Sequence, residues 1–154
     1  MKLSDYLDKI ASALERVTRD SKAKRVETFV PELREIETRK VLAELILAVF
    51  ERWGVHRFNQ PVLLGLDEIS ALRDGKPLPD DVAVLERAGH LLAIDRALLK
   101  LYPDSPVTRE RWISTPHPQL GHKSALELML IGGLQAIKDV RAMLEEEIAA
   151  QRLR

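Results

Sequence analysis

Histidines and carboxylates are the residues of this chain whose types and spacing suggest chemistry. His117 and His122 lie five positions apart, in a segment with two prolines and a glycine. A zinc site needs three or four ligands, but the sequence has no cysteine, and neither His56 nor His90 has ligand spacing to the pair. We therefore predict no metal site, and we interpret His90, which lies among apolar residues, as a packing residue.

Glu145, Glu146 and Glu147 are the second candidate, a run of carboxylates. Consecutive residues of a helix point in different directions, so these three cannot converge on one substrate, and we interpret them as a solvated face. The sequence contains no nucleophile–base pattern and no dinucleotide fingerprint, and Gly132-Gly133 lacks the preceding strand that a phosphate loop needs. We therefore predict a protein that has no catalytic residues, takes no cofactor and is not an enzyme.

Length and charge set further bounds. A chain of 154 residues suits one compact unit or two small ones packed together, and its formal net charge of zero gives no overall basic field for nucleic acid. The lack of cysteine fits a reducing compartment, and charges interrupt the early apolar residues that a signal peptide would need. The apolar run from Val41 to Phe50 is too short to span a bilayer. We expect a cytoplasmic protein with no membrane partner.

Helices must position all of these residues. Ala, Leu, Glu and Arg are common, and apolar residues recur at helical spacing in nearly every segment. No segment alternates with the two-residue period of a strand. The sequence therefore predicts an all-α fold, a multi-helix bundle of about seven or eight helices without a sheet.

Turn and capping residues place the helices of the N-terminal half. The expected helices cover 3–17, 32–53, 57–64 and 67–73. Gly54 is expected to end the second of these, and Asp67 to cap the fourth. The third and fourth flank a tight turn at Gly65. A short helix, a glycine turn and another short helix form the outline of a helix-turn-helix.

The C-terminal half is divided by similar signals. Asp80 or Asp81 is expected to cap a long helix that ends at Leu101, and Thr108 to cap a short helix that holds Trp112. The segment 115–118 contains two prolines and prevents continuation. Ser124 and Glu127 form a capping-box pattern that opens a further helix, which Gly132-Gly133 is expected to interrupt.

Two sets of short motifs follow one another along the chain. The first set is Trp53-Gly54-Val55, Leu63-Leu64-Gly65-Leu66, Gly75-Lys76-Pro77-Leu78-Pro79, Leu85-Glu86-Arg87 and Leu91-Leu92-Ala93-Ile94. The second set is Trp112, Pro116-His117-Pro118-Gln119-Leu120-Gly121, Ser124-Ala125-Leu126-Glu127-Leu128 and Gly132-Gly133. In this order and spacing they resemble antitoxins of the Xre/MbcA/ParS family. The first set is similar to the Xre-like helix-turn-helix half of these proteins, and the second to their toxin-binding half.

The resemblance implies both a division of the chain and a function. Residues 1–38 would form an N-terminal helical extension, 39–103 an Xre-like helix-turn-helix region and 104–154 a toxin-binding domain. The protein would be the antitoxin of a type II toxin–antitoxin system, and would inhibit a cognate RES-domain toxin that consumes NAD or ADP-ribosylates a target. Such antitoxins often form homodimers. The alternative is a helix-turn-helix transcriptional regulator without a toxin partner.

The resemblance also selects candidate toxin-binding residues. They are Trp112, His117, Gln151, Arg152, Leu153 and Arg154. For Trp112 we favour a place in the core over direct toxin contact, since large aromatic side chains are mostly buried. The apolar stripe of the last helix stops at Ile148, so we expect no packing beyond Ala150. An unanchored end that is disordered in the free protein is the alternative to a functional tail. Guanidinium groups pair well with catalytic acids, and the family's C-terminal end often enters the toxin's NAD cleft. The tail, defined as residues 151–154, is therefore expected to occlude that site.

DNA contact is the other expectation that the resemblance raises. The candidate residues are Arg57, Asn59, Gln60, Arg73 and Lys76. Asp67, Glu68 and Asp74 lie in the same stretch and would repel a polyanion. The second helix is also shorter than is usual in the family. We expect the free protein to bind operator DNA weakly, and mainly as the toxin complex.

Overall fold

The computed structural model describes residues 34–153, and the predicted helix over 3–17 lies outside them. Six α-helices occur in the described residues. They are α1 (Ile36–Arg52), α2 (Gln60–Leu64), α3 (Ser70–Arg73), α4 (Val82–Leu101), α5 (Pro106–Trp112) and α6 (Ala125–Arg152). The all-α fold expected from the sequence is confirmed.

One part of the fold expectation is wrong, because a small sheet is present. Strands β1 (Pro116–His117) and β2 (Lys123–Ser124) pair antiparallel, joined by a 3₁₀ helix over Pro118–Leu120. The prolines prevent an α-helix here, and Gly121 and His122 reverse the chain with φ of 67° and 63°. Two residues per strand are too few to produce the alternating pattern that identifies a strand in sequence.

The core lies between α4 and the two long helices beside it. α4 packs along α6 on one side and α1 on the other. Its contribution is a set of buried apolar residues at helical spacing: Leu85, Ala88, Leu91, Ile94, Leu98 and Leu101. The short helix α2 packs against both α4 and α6, and α3 packs against α1. The two regions that the motifs distinguish therefore share one core.

The helix boundaries follow from caps, with two corrections. Asp81 Oδ1 accepts a hydrogen bond from the Ala83 amide at 2.8 Å and begins α4, as expected. Ser124 Oγ likewise accepts from the Glu127 amide at 3.1 Å and begins α6. The expected caps of the two short helices are wrong: Ser105, rather than Thr108, caps α5, and Ile69, rather than Asp67, precedes α3 without a side-chain cap.

The interruption expected at Gly132-Gly133 is a sharp kink within α6. Gly133 has φ 62° and ψ −145°, a conformation that only glycine adopts readily. Arg87 of α4 lies against this kink and against Gly65, the left-handed residue that ends α2. The same arginine therefore contacts the turn of the helix-turn-helix outline and the break in the last helix.

Candidate functional site

An open groove lies at the C-terminal end of the molecule, with a volume of about 750 Å³. We call it the C-terminal groove. The end of α4 forms its base, α5 and β1 one wall, and the C-terminal part of α6 the other. Its lining residues are Leu101, Tyr102, Val107, Thr108, Arg111, Trp112, Thr115, His117, Gln119, Met143, Leu144, Glu146, Glu147 and Ala150. Four separate elements therefore meet at one concave surface.

Trp112 and His117 are brought together in this groove. Their ring centroids are 4.5 Å apart, and His117 Nε2 lies 3.0 Å from the Trp112 carbonyl oxygen, which accepts a hydrogen bond from it. Trp112 is only 8% exposed, so the core position that we favoured for it is confirmed. The pair therefore forms part of one wall of the groove.

The charged groups of the groove lie on its two walls. Glu146 and Glu147 stand on α6, and Arg111 stands on α5. Among residues 34–153, none of these three side chains forms an ion pair. Glu145, the first of the three glutamates, instead accepts a hydrogen bond from Arg141 Nε at 2.8 Å. Glu145 is thus held in an internal ion pair, while Glu146 and Glu147 line the groove.

The tail continues directly from the groove wall. α6 remains helical through Arg152, so residues 151–152 continue the helix beyond Ala150. The expected loss of packing is confirmed, since Gln151 and Arg152 are exposed and Leu153 is 90% exposed. Arg154 lies outside the described residues. A regular helix thus presents an uncovered leucine beside the groove.

The candidate DNA-binding residues are only partly at the surface. Gln60 is 8% exposed; its Nε2 donates to the Val55 carbonyl at 3.0 Å and its Oε1 accepts from Arg73 at 3.2 Å. Arg57 and Lys76 are exposed, and the Arg57 guanidinium lies 5.2 Å from the centre of the Phe58 ring. Asn59 is half-buried. Arg73 is exposed as well, so of the five candidates it is Gln60 that is taken out of the surface.

His90 lies in the interface between α4 and α6, 4% exposed, as a packing residue should. Its Nδ1 accepts a hydrogen bond from Arg141 at 3.2 Å, and its Nε2 is 3.7 Å from Glu86. Burial, together with the positive charges of Arg141 and Lys138, lowers the pKa of His90 to about 4. The imidazole is therefore neutral near pH 7.

In the described part of the chain, no group of three or more His, Cys, Asp or Glu side chains is placed to hold a metal ion. None of the helices formed by residues 34–153 is long and apolar enough to cross a membrane.

A concave surface built by the last third of the chain suits the binding of another protein. Residues 97–145, about a third of the chain, match the family model of the antitoxin Xre/MbcA/ParS C-terminal toxin-binding domain. The likeness that the second set of motifs indicated is thereby confirmed for this region, which is similar to a toxin-binding domain. No curated protein matches the chain. The matched residues include the base of the groove and the α5–β1 wall.

Proposed function

We propose that this protein neutralises a RES-domain toxin by binding it through residues 104–154 and occluding its NAD site with the tail. The match of residues 97–145 to a toxin-binding domain carries the proposal. The groove supports it, since three charged side chains that form no ion pair within residues 34–153 surround an apolar floor. Interfaces commonly combine such an apolar centre with a polar rim.

The tail suits a second task, which is inhibition. Because α6 stays helical to Arg152, Gln151 and Arg152 extend a packed helix beyond its last packed residue. Arg152 and Arg154 bring guanidinium groups, which form paired hydrogen bonds with carboxylates. An NAD-consuming site is expected to contain catalytic carboxylates, or polar groups that bind the pyrophosphate of NAD, and the arginines of the tail could pair with these. We therefore assign affinity to the helical body and occlusion to the tail.

Deleting residues 151–154 tests this division. The shortened protein is expected to bind a RES-domain toxin encoded beside it within about tenfold of the full chain, but to inhibit NAD consumption poorly. Charge reversal of Glu146 and Glu147 is expected to weaken binding itself, by about 1–3 kcal/mol if both meet the toxin. The matched control reverses the charges of Asp67 and Asp74, two exposed acids outside residues 104–154, and should leave toxin binding unchanged.

Two results would contradict the proposal. Full inhibition by the shortened protein would place inhibition in the helical body. If reversing Asp67 and Asp74 weakened toxin binding as much as reversing Glu146 and Glu147, the contact would not be confined to residues 104–154.

A further inference from the structure

The two walls of the C-terminal groove carry the same arrangement of side chains with opposite charge. On α5, Val107 and Arg111 line the groove and are four positions apart, so they lie on one face of that helix. On α6, Met143 and Glu147 line it and are also four positions apart, with Glu146 beside them. Each wall thus has an apolar residue one turn before a charged one, cationic on α5 and anionic on α6.

The charged groups of the two walls do not pair with each other. The backbone at Arg111 is held by its carbonyl oxygen, which accepts hydrogen bonds from Ser114 Oγ at 3.3 Å and Thr115 Oγ1 at 2.8 Å. α5 is also tied to the end of α4, because Arg109 Nη1 donates to the Tyr102 carbonyl oxygen at 2.6 Å. In the part of the chain that the structure describes, the Arg111 guanidinium forms no ion pair. The groove therefore offers a positive and a negative side at once.

Apolar surface between the two walls remains uncovered. Val107 is 56% exposed, and Met143 on the other wall is half-buried. The more deeply buried lining residues are Leu101 and Leu144, which are 8% and 2% exposed. The groove volume of about 750 Å³ lies within the range of binding pockets, about 300–1,000 Å³. The centre of the groove therefore suits a large apolar side chain.

The arrangement of charges selects among occupants. Nucleic acid would be repelled by Glu146 and Glu147, and it has no apolar side chain for the centre. A purely basic segment would be repelled by Arg111, and a purely acidic one by the two glutamates. A protein segment with an apolar residue between a basic and an acidic one matches both walls. Such a segment binds in one direction, because reversing it brings like charges together.

We propose, on the basis of the toxin binding proposed above, that the C-terminal groove binds a segment of the toxin in one orientation. A large apolar side chain of that segment occupies the centre between Val107 and Met143. A basic residue of the segment lies against Glu146 and Glu147, and an acidic residue lies against Arg111. The groove is thus a contact separate from the tail, and it sets how the toxin is oriented on this protein.

Filling the groove tests the site. Ala150→Trp is expected to weaken binding of the RES-domain toxin encoded beside this protein about tenfold or more, because the indole takes the place of the toxin's side chain. Ala71→Trp is the control: Ala71 is exposed on α3, does not line the groove and lies outside residues 104–154, so toxin binding should be unchanged. Isothermal titration calorimetry measures binding, and thermal unfolding checks that both variants are folded. Equal toxin affinities of the two variants would overturn the proposal.

Charge exchange tests the orientation. Arg111→Glu and Glu147→Arg are each expected to weaken toxin binding about tenfold. The double variant keeps the net charge of the chain but reverses the polarity of the groove, so it should bind the toxin more weakly than either single variant. Lys100→Glu, an exposed change on α4 outside the groove, should have little effect. Recovery of toxin binding in the double variant would show that the two side chains act on each other and not on the toxin, which would overturn the proposal.

A photoreactive side chain identifies the occupant itself. The photoreactive amino acid p-benzoylphenylalanine in place of Ala150 is expected to cross-link to the toxin, whereas the same substitution at Ala71 should not. Mass spectrometry should locate the link beside an apolar residue of the toxin that has a basic and an acidic residue within one helical turn. A link to this chain itself, to a second copy, or to a toxin segment with charge of one sign would contradict the assignment.

The outcomes separate the groove contact from the proposed function. A toxin that binds the full chain but is indifferent to Ala150→Trp and Arg111→Glu leaves the proposed function intact and removes the groove contact. A toxin that does not bind the full chain removes both.

Discussion

The short-helix region, residues 60–76, and the C-terminal groove differ in what their polar side chains do. In the short-helix region Gln60 is buried and bonded to Val55 and Arg73. In the groove Glu146, Glu147 and Arg111 line an open surface and have no ion-pair partner within residues 34–153. Both regions resemble binding modules, but the groove places its charged side chains around one apolar concave surface, whereas the short-helix region buries Gln60 and bonds it to α3.

The difference shows that a motif indicates where a binding module lies, but the hydrogen bonds decide whether it is free to bind. A helix-turn-helix reads bases with side chains that project from its second helix. Here α3 has only four residues, and Arg73, its last, donates to Gln60. The groove instead combines apolar floor with charged rim. Substitutions in the shared core, at His90 and at two glutamines test this difference.

The largest expected effect concerns the core that both regions share. Leu63→Ala in α2 and Ile137→Ala in α6 should each lower the free energy of unfolding by about 2–5 kcal/mol, because both side chains are fully buried. Val62→Ala, at a position that is 47% exposed, should cost less than about 1 kcal/mol. Urea unfolding measures all three. If Leu63→Ala or Ile137→Ala unfolded in two separate transitions, the short-helix region and the C-terminal region would be independent units and would not share one core.

An intermediate effect is expected from acid. The pKa of His90 is about 4 in the folded protein and 6.5 ordinarily, so between these values the unfolded chain binds a proton that the folded chain does not. Stability is therefore complete above pH 6.5 and falls as the pH drops toward 4, by about 2–3 kcal/mol.

The check for His90 is a comparison of unfolding free energies at about pH 7 and about pH 4.5. His90→Gln retains an acceptor for Arg141 and does not titrate, so it should lose about 2 kcal/mol less than the natural chain over this interval. The same acid sensitivity in both chains would show that the interface between α4 and α6 is not the cause.

The smallest effect separates the two regions most directly. Gln60→Ala should destabilise the protein by about 1–2 kcal/mol, because it leaves the Val55 carbonyl without its donor. Gln119→Ala, in the exposed groove, should change stability by less than about 0.5 kcal/mol. Thermal unfolding of the two variants gives the comparison. Equal changes would mean that the groove, too, is held by its polar side chains.

The sequence predicted the helices better than it predicted the site. Long apolar stripes and glycine stops set α1, α4 and the break in α6, because periodicity and left-handed residues act locally. The β1–β2 pair could not be predicted, since two residues carry no period. The bond between Gln60 and Arg73, thirteen positions apart, depends on how α2 and α3 pack. The C-terminal groove likewise forms where four elements meet, so no single segment of the sequence predicts it.

The kink at Gly133 divides the last helix into two helical segments that meet at one glycine. A non-helical residue interrupts the backbone hydrogen bonds, so residues 125–132 and 134–152 form two separate rods. The angle between them can change through the two torsions of one glycine, without loss of hydrogen bonds in either rod. The Arg87 side chain lies close to both Gly133 and Gly65. One side chain therefore links the second segment, which ends at the groove, to the turn after α2.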